Sequence, residues 1–484
     1  MKARRQFISL ILFIFLLTAF GRHAAAYSLL THEQLIDLAW NDSIAPLLLS
    51  RYPNLTPADL DRARAYAYGG CVIQDIGYYP FGDSSFSNLT HYVRTGDFVV
   101  NLFRNAQNAN ELAFAVGALS HYFGDSEGHP LATNLAVPIE FPKLGAKYGR
   151  EVNYAEGRRQ HVRTEFAFDI NDIAKHRVAP VHYLRHIGLE VSVRQLRIAF
   201  YQTYGLYEDF SGKRGRRINV SAYRFAVRSF IPRIAYAVTL LHRKSEPPDP
   251  VTPEFVEIQK MVTAMAAENH WDDYRRKAGI GTWSLACLLF VLPKVGPLSL
   301  VAVKGPTPAT EADYIHSVAL STLALREMLA RFTPPSSRRP LVTNGAAYNP
   351  AALHALNEPP PTHELPGNPA VNHETEKQRS DPRHPLPNRD LDTGRVVQPG
   401  GYSLTDSTYA DLLHVLASQP AQPIPPGIKE DIQTYYANLD LPISTKRYPQ
   451  RWNQVLADLK VLGTMPVSEE PVPFPTYDDA EVAQ

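Results

Sequence analysis

The chain has 484 residues, with 49 Lys and Arg against 48 Asp and Glu. That length can bury a substantial core without covalent staples, and with only Cys71 and Cys287 present a disulfide framework is excluded, although one bridge stays open. The near balance of charge argues against a duplex-binding face that works by neutralising many backbone phosphates.

At the N-terminus, Lys2, Arg4 and Arg5 precede an apolar run from Ile8 to Phe20, which ends near Ala24-Ala25-Ala26. Basic start, short apolar stretch and small residues together predict a secretory signal peptide over 1–26. The run is too short for a spanning anchor, which needs roughly 20 residues. Cleavage after Ala26 would leave a secreted or periplasmic protein beginning at Tyr27, and loss of Lys2, Arg4, Arg5 and Arg22 turns its formal balance negative.

Residues 27–243 read as successive helices with short loops and few alternating strands, so the predicted fold class is all-α. One helix is expected to open at Thr56-Pro57, with Asp59 and Asp61 in its first turn, and to stop at Gly69-Gly70. Another opens near Asn110-Glu111 and carries Leu112, Ala115, Val116 and Leu119 at helical spacing. A helical extension over 244–332 contains the apolar stretch Trp283 to Val303, interrupted by Pro293 and Pro297. The interruption suits a buried hairpin, with a segment lying in a membrane interface as the alternative. Residues 333–401 are predicted as a Pro-rich linker, 402–465 as C-terminal helices and 466–484 as an acidic tail.

Chemistry concentrates in His121-Tyr-Phe-Gly-Asp125-Ser-Glu-Gly-His129. Positions i, i+4 and i+8 of a helix fall within a sector of about 80 degrees, so three zinc-competent side chains share one face. Beside Leu119 and Phe123 such groups need metal or hydrogen bonds to offset desolvation. The device recurs at His161-Val-Arg-Thr-Glu165, where imidazole and carboxylate again stand four apart. His182 and His186 share that spacing without a carboxylate and read as structural. His32, Asp75 and His91 are weak candidates singly, and aromatic residues Tyr78, Tyr79, Phe81 and Phe86 lie between the last two.

Taken in order, these residues make Tyr27 to Glu165 resemble the bacterial zinc-dependent phospholipase C family, whose fold is shared with single-strand-specific zinc nucleases. The resemblance implies an all-helical domain holding three zinc ions. It assigns the backbone amine and carbonyl of Tyr27 with His32 to one zinc, Asp75, His91 and His121 to a second, and His129, His161 and Glu165 to a third. Asp125 would bridge the first two, and Asp75 would be the catalytic candidate that orients or deprotonates water. Tyr27 stands where the family usually has Trp. The four-residue step from Asp125 to His129 is similar to that of phospholipases acting on glycosylphosphatidylinositol anchors. The implied function is phosphodiester hydrolysis of a phospholipid or membrane-surface substrate, with nucleic acid less favoured and no protein partner evident. A zinc nuclease and a non-catalytic, zinc-stabilised lipid-binding protein are the alternatives. The aromatic cluster could receive a choline headgroup, stack on a base or be core.

Overall fold

The computed structural model describes residues 29–79, 82–208, 210, 220–242, 247–294, 296–337 and 384–468. Among them regular structure is helical, with two isolated β-bridges, Arg389 to Val396 and Ile424 to Val467. The all-α expectation holds. In chain order the helices are α1 Leu29–Ala39, α2 Ala45–Arg51, α3 Pro57–Gly70, α4 Ser84–Tyr92, α5 Thr95–Arg104, α6 Ala109–Gly128, α7 Asn134–Glu140, α8 Pro142–Tyr148, α9 Tyr154–Ala174 and α10 Val181–Ile187. They continue as α11 Val193–Tyr204, α12 Val220–Phe225, α13 Ile231–His242, α14 Pro253–Glu268, α15 Trp271–Tyr274, α16 Ile280–Val291, α17 Pro308–Ala330, α18 Ser403–Ala417, α19 Pro426–Tyr435 and α20 Pro449–Thr464.

Helix α3 begins as its sequence predicts, with a capping box between Thr56 and Asp59 and Pro57 at the first turn. It also ends at Gly70, but its glycines do a different job from the expected stop. Neither takes a positive φ. A Cβ at Gly70 would collide with the Phe114 carbonyl of α6, and one at Gly117 of α6 with the Ala67 carbonyl of α3. The glycines let two backbones touch, which brings the Cys71–Asp75 segment against the ligand-bearing helix. Helix α6 is capped by Asn108, whose side chain accepts from the Glu111 amide at 3.1 Å, and passes at His129 into a π-turn, His129–Thr133.

One hydrophobic core extends from Leu29 to Met465, so helices at both ends of the described chain share it. A smaller cluster joins Ala167 and Ile170 of α9 to Ile234, Ala237 and Val238 of α13 and to Ala286 and Leu289 of α16. The buried-hairpin reading of 283–303 is corrected at α16. Ala286 and Leu289 are buried, yet Ile280 (88% exposed), Trp283 (48%), Phe290 (73%) and Val291 (78%) face outward with Cys287. Only one side of this helix finds a neighbour. Among the described residues no helix is long and apolar enough to cross a membrane. Cys71 is buried and Cys287 exposed, both as free thiols, so the open question of their pairing is answered against a bridge.

Part of the segment expected as a linker is packed into the fold. The Pro387 carbonyl accepts from the Tyr122 hydroxyl at 2.7 Å, and Arg389 exchanges hydrogen bonds with Thr95 at 2.7 and 2.9 Å. Nearby, left-handed Arg94 pairs with Asp97 (2.8 Å) and Asp431 (2.7 Å), tying α5 to α19.

Candidate metal centre

Helix α6 presents His121 and Asp125 from its last turns and His129 from the π-turn. Helix α9 presents His161 and Glu165. All of these groups are buried, with Asp125 3.1 Å from His121 Nε2 and 3.8 Å from His129 Nε2, and Glu165 2.8 Å from His161 Nε2. Helix α1 brings His32, whose ring stacks on His121 with centroids 4.2 Å apart. Gly124 permits that approach, because an added Cβ there would stand 3.0 Å from the His32 ring. Asp75 sits on a short 3-10 turn after α3, and His91 in the last turn of α4. Tyr27 lies outside the described residues.

The side chains gather into three groups that could each hold a metal ion, the first two sharing His121: His32, His121 and Asp125; Asp75, His91 and His121; His129, His161 and Glu165. Asp125 faces two ways. Its Oδ1 stands 3.2 Å from His32 Nε2, while Oδ2 stands 3.2 Å from His91 Nε2 and 3.1 Å from His121 Nε2. His91 Nε2 is 3.3 Å from Asp75 Oδ1, and His129 Nε2 is 3.2 Å from Glu165 Oε1. Zinc bonds of about 2.0–2.1 Å in tetrahedral array put neighbouring donor atoms about 3.3 Å apart. The observed spacings fit a shared central ion.

Tautomers strengthen the fit. A carbonyl can only accept, so His91 Nδ1 must donate to the Ser87 carbonyl at 2.7 Å and His121 Nδ1 to the Cys71 carbonyl at 3.0 Å. With one ring proton so placed, each Nε2 of a neutral ring carries a lone pair, yet the two Nε2 atoms face each other at 3.3 Å. Two lone pairs repel unless a cation or proton stands between them. The carboxylate oxygens of Asp75, Asp125 and Glu165 are likewise buried facing only the imidazole nitrogens of the cluster, with His161 Nε2 2.8 Å from Glu165 Oε1, and His161 Nδ1 is buried without a partner. Such desolvation is costly unless a metal compensates it.

Burial pulls the His161 imidazole down to about 4, which leaves its lone pairs available at neutral pH. Burial also pushes the Glu165 carboxyl up to about 8. It works against charge on His91 as well, but Asp125 and Asp75 beside the ring overcome it and carry His91 up to about 10. Asp125, raised by burial, is nonetheless held well below the usual carboxylate range by His121 and His129. Metal-free, the cluster keeps protons where a cation would otherwise sit.

Sequence reasoning missed the shell behind these groups. Asp169, two turns beyond His161 on α9, accepts from the Leu30 and Thr31 amides at 3.0 and 3.1 Å and so fixes the start of α1. Its continuation of the i, i+4, i+8 series was a readable signal. Leu391 and Asp392 also reach the site: the Leu391 carbonyl accepts from His129 Nδ1 at 3.0 Å, and Asp392 lies beside it. Their neighbourhood in sequence carries no ligand spacing. Tyr78 lies against His91 with ring centroids 5.3 Å apart, whereas Phe86 is core, packed among Phe98, Phe200 and Phe210. Tyr79 is buried against Tyr223, and Phe81 lies outside the described residues. His182 and His186 are exposed on α10 and belong to none of the candidate metal groups. A further group, Asp97, His384 and Asp431, is already served by a cation, because the Arg94 guanidinium bridges both carboxylates.

Comparison with protein-family models matches residues 31–211 to zinc-dependent phospholipase C. No curated protein and no solved structure matches the chain. The matched segment contains every described candidate ligand, while α16 and residues 384–468 lie beyond it.

Proposed function

We propose that the protein is an exported phospholipase C that hydrolyses phospholipid phosphodiesters at a trinuclear zinc site, a reading supported by the match of residues 31–211 to zinc-dependent phospholipase C. The observation that carries this reading is the convergence of three donor groups, with Asp125 turned to two of them. His32 and Asp125 with Tyr27 would hold one ion, Asp75, His91, His121 and Asp125 a second, and His129, His161 and Glu165 a third. When bound, zinc supplies Lewis-acid charge for a phosphoryl group and activates water near neutral pH. Asp75 is buried, with Oδ1 3.3 Å from His91 Nε2 and Oδ2 without a hydrogen-bond partner, so it is placed to orient the attacking water or take its proton. The ring of Tyr78 lies against His91 and borders the reacting centre.

Export belongs to the same reading. Removal of residues 1–26 would free the amine of Tyr27 close before α1, so signal cleavage would complete the first zinc site. Helix α16 favours lipid over nucleic acid, because a row of Ile280, Trp283, Phe290 and Val291 is exposed and is preceded by exposed Arg276 and Lys277. An apolar helix face with basic residues at its edge suits the interface of an anionic bilayer.

Purified mature protein should contain three zinc ions and release phosphorylated headgroups from mixed phospholipid vesicles, with single-stranded DNA left intact. Asp75→Asn should keep the fold and lose turnover. Cleavage of the DNA with intact vesicles would establish the nuclease reading instead, and zinc without either activity the lipid-binding one.

A further inference from the structure

We propose that residues 386–402 are a working part of the metal centre, and that Asp392 is the positioning residue that sets His129 for zinc. This rests on the metal-centre reading above and assigns a role to a stretch far outside the family match. Leu391 touches two of the three donor groups at once. Its amide donates to the His91 carbonyl at 3.0 Å, and its carbonyl accepts from His129 Nδ1 at 3.0 Å. That second bond fixes the tautomer of His129 and turns Nε2 towards Glu165.

Asp392 stands directly behind the same ring, with Oδ1 3.6 Å from His129 Nδ1. It is 1% exposed. Its other oxygen accepts from the Tyr92 hydroxyl at 2.9 Å and the Tyr402 hydroxyl at 2.6 Å, and its carbonyl from the Asn134 amide at 2.8 Å. A carboxylate placed behind a ligating imidazole holds the ring in orientation and makes its far nitrogen a better donor. Two neutral hydroxyls alone are thin compensation for a fully buried carboxylate, whereas a zinc ion across the ring supplies the opposite charge.

The strap is seated by close backbone contact. A Cβ at Gly96 of α5 would collide with the Leu386 and Pro387 carbonyls. At Gly394, where φ is +67°, it would collide with the Ser126 carbonyl of α6. A methyl group at position 394 therefore lifts the strap from α6 without altering any ligand.

The test loads full-length mature protein, Asp392→Asn and Gly394→Ala with zinc, equilibrates each against graded chelator and counts retained zinc by elemental mass spectrometry. Both variants should release one zinc per chain at about 10- to 100-fold lower chelator strength, with the remaining zinc held as in the parent. Asn at 392 still accepts from both tyrosines, so a merely structural side chain would leave zinc retention unchanged, and that result overturns the proposal. Hydrogen exchange on the unaltered protein covers the case in which a variant does not fold. Adding zinc to the metal-free protein should slow amide exchange across 386–402, and unchanged exchange there would overturn the proposal too. A parent protein that binds no zinc would remove the metal-centre reading as well, which separates the two failures.

Discussion

Helices α9 and α16 both pack on α13, and they break the ordinary partition of side chains in opposite senses. Helix α9 hides His161, Glu165, Asp169 and Asp172, all of them buried. Helix α16 displays Ile280, Trp283, Phe290 and Val291 to solvent. Buried charge and exposed large apolar surface are the informative departures from the usual rule, since each is costly without a counterpart. For α9 the counterparts lie within the chain: the His129 ring beside Glu165, the first amides of α1 for Asp169, and Arg177 with the Tyr314 hydroxyl for Asp172. For α16 nothing in the described chain covers the outer face. One helix is explained by what it surrounds, the other by what it meets.

The strongest way to break this contrast is to empty the cage. Asp125→Asn, which removes charge from the residue facing two donor groups, should lower hydrolysis of a short-chain phospholipid by at least about a thousandfold, on the scale of several kcal/mol of lost charge stabilisation. Steady-state kinetics and zinc analysis on the same sample check it. Retained activity with full zinc content would mean that the buried charge serves packing alone.

On α16, replacing Trp283 and Phe290 together by Ser should weaken binding to anionic vesicles by about 10- to 100-fold, given roughly 1.5–3 kcal/mol for fully burying one such side chain and partial insertion of each. Vesicle sedimentation measures the change. Turnover of dispersed monomeric substrate and thermal stability should stay close to the parent's, because neither side chain is core.

Proton competition sharpens the comparison on the α9 side. Glu165 is pushed up to about 8 by burial, and His91 reaches about 10 through Asp125 and Asp75 despite burial. Both retain protons in the metal-free protein at neutral pH, and zinc must displace them. Zinc affinity should therefore climb as pH rises from 6 towards 8, with protons released on binding, as calorimetry in buffers of different ionisation enthalpy would detect. Vesicle binding through α16 rests on apolar side chains and needs no proton displaced, and it should be flat over the same range.

The smallest effect is expected at Asp169→Ala. Losing the carboxylate that accepts from the first amides of α1 should cost about 1–2 kcal/mol by denaturant titration, as for a lost helix cap, and should loosen the zinc group containing His32 first.

How much of this was readable beforehand follows from distance along the chain. His121, Asp125, His161 and Glu165 were legible because helical geometry converts a four-residue spacing into a shared face. The start of α3 was legible for the same local reason, in Thr56, Pro57 and Asp59. Its end at Gly69-Gly70 was legible too, but not the second role of the pair, since a glycine looks alike whether it terminates a helix or admits a neighbour such as Phe114. Burial of α16 was misjudged because composition states how apolar a helix is and says nothing of which faces the fold covers. Asp392 was out of reach: its partner Tyr92 is 300 positions away, and a lone aspartate in a Pro-rich stretch carries no periodic signal.

That separation has a consequence for how the protein matures. Polypeptide emerging from the ribosome delivers every described candidate ligand well before residue 391, so the cage can gather its donors while its rear wall is still being made. Contacts so far apart in sequence form slowly, although the entropy of closing the loop rises only gently with its length. Assembly should thus proceed in two beats, an early gathering of helices and a late fastening by returning chain, and the interval between them is when a stray metal or a protease has its best opportunity.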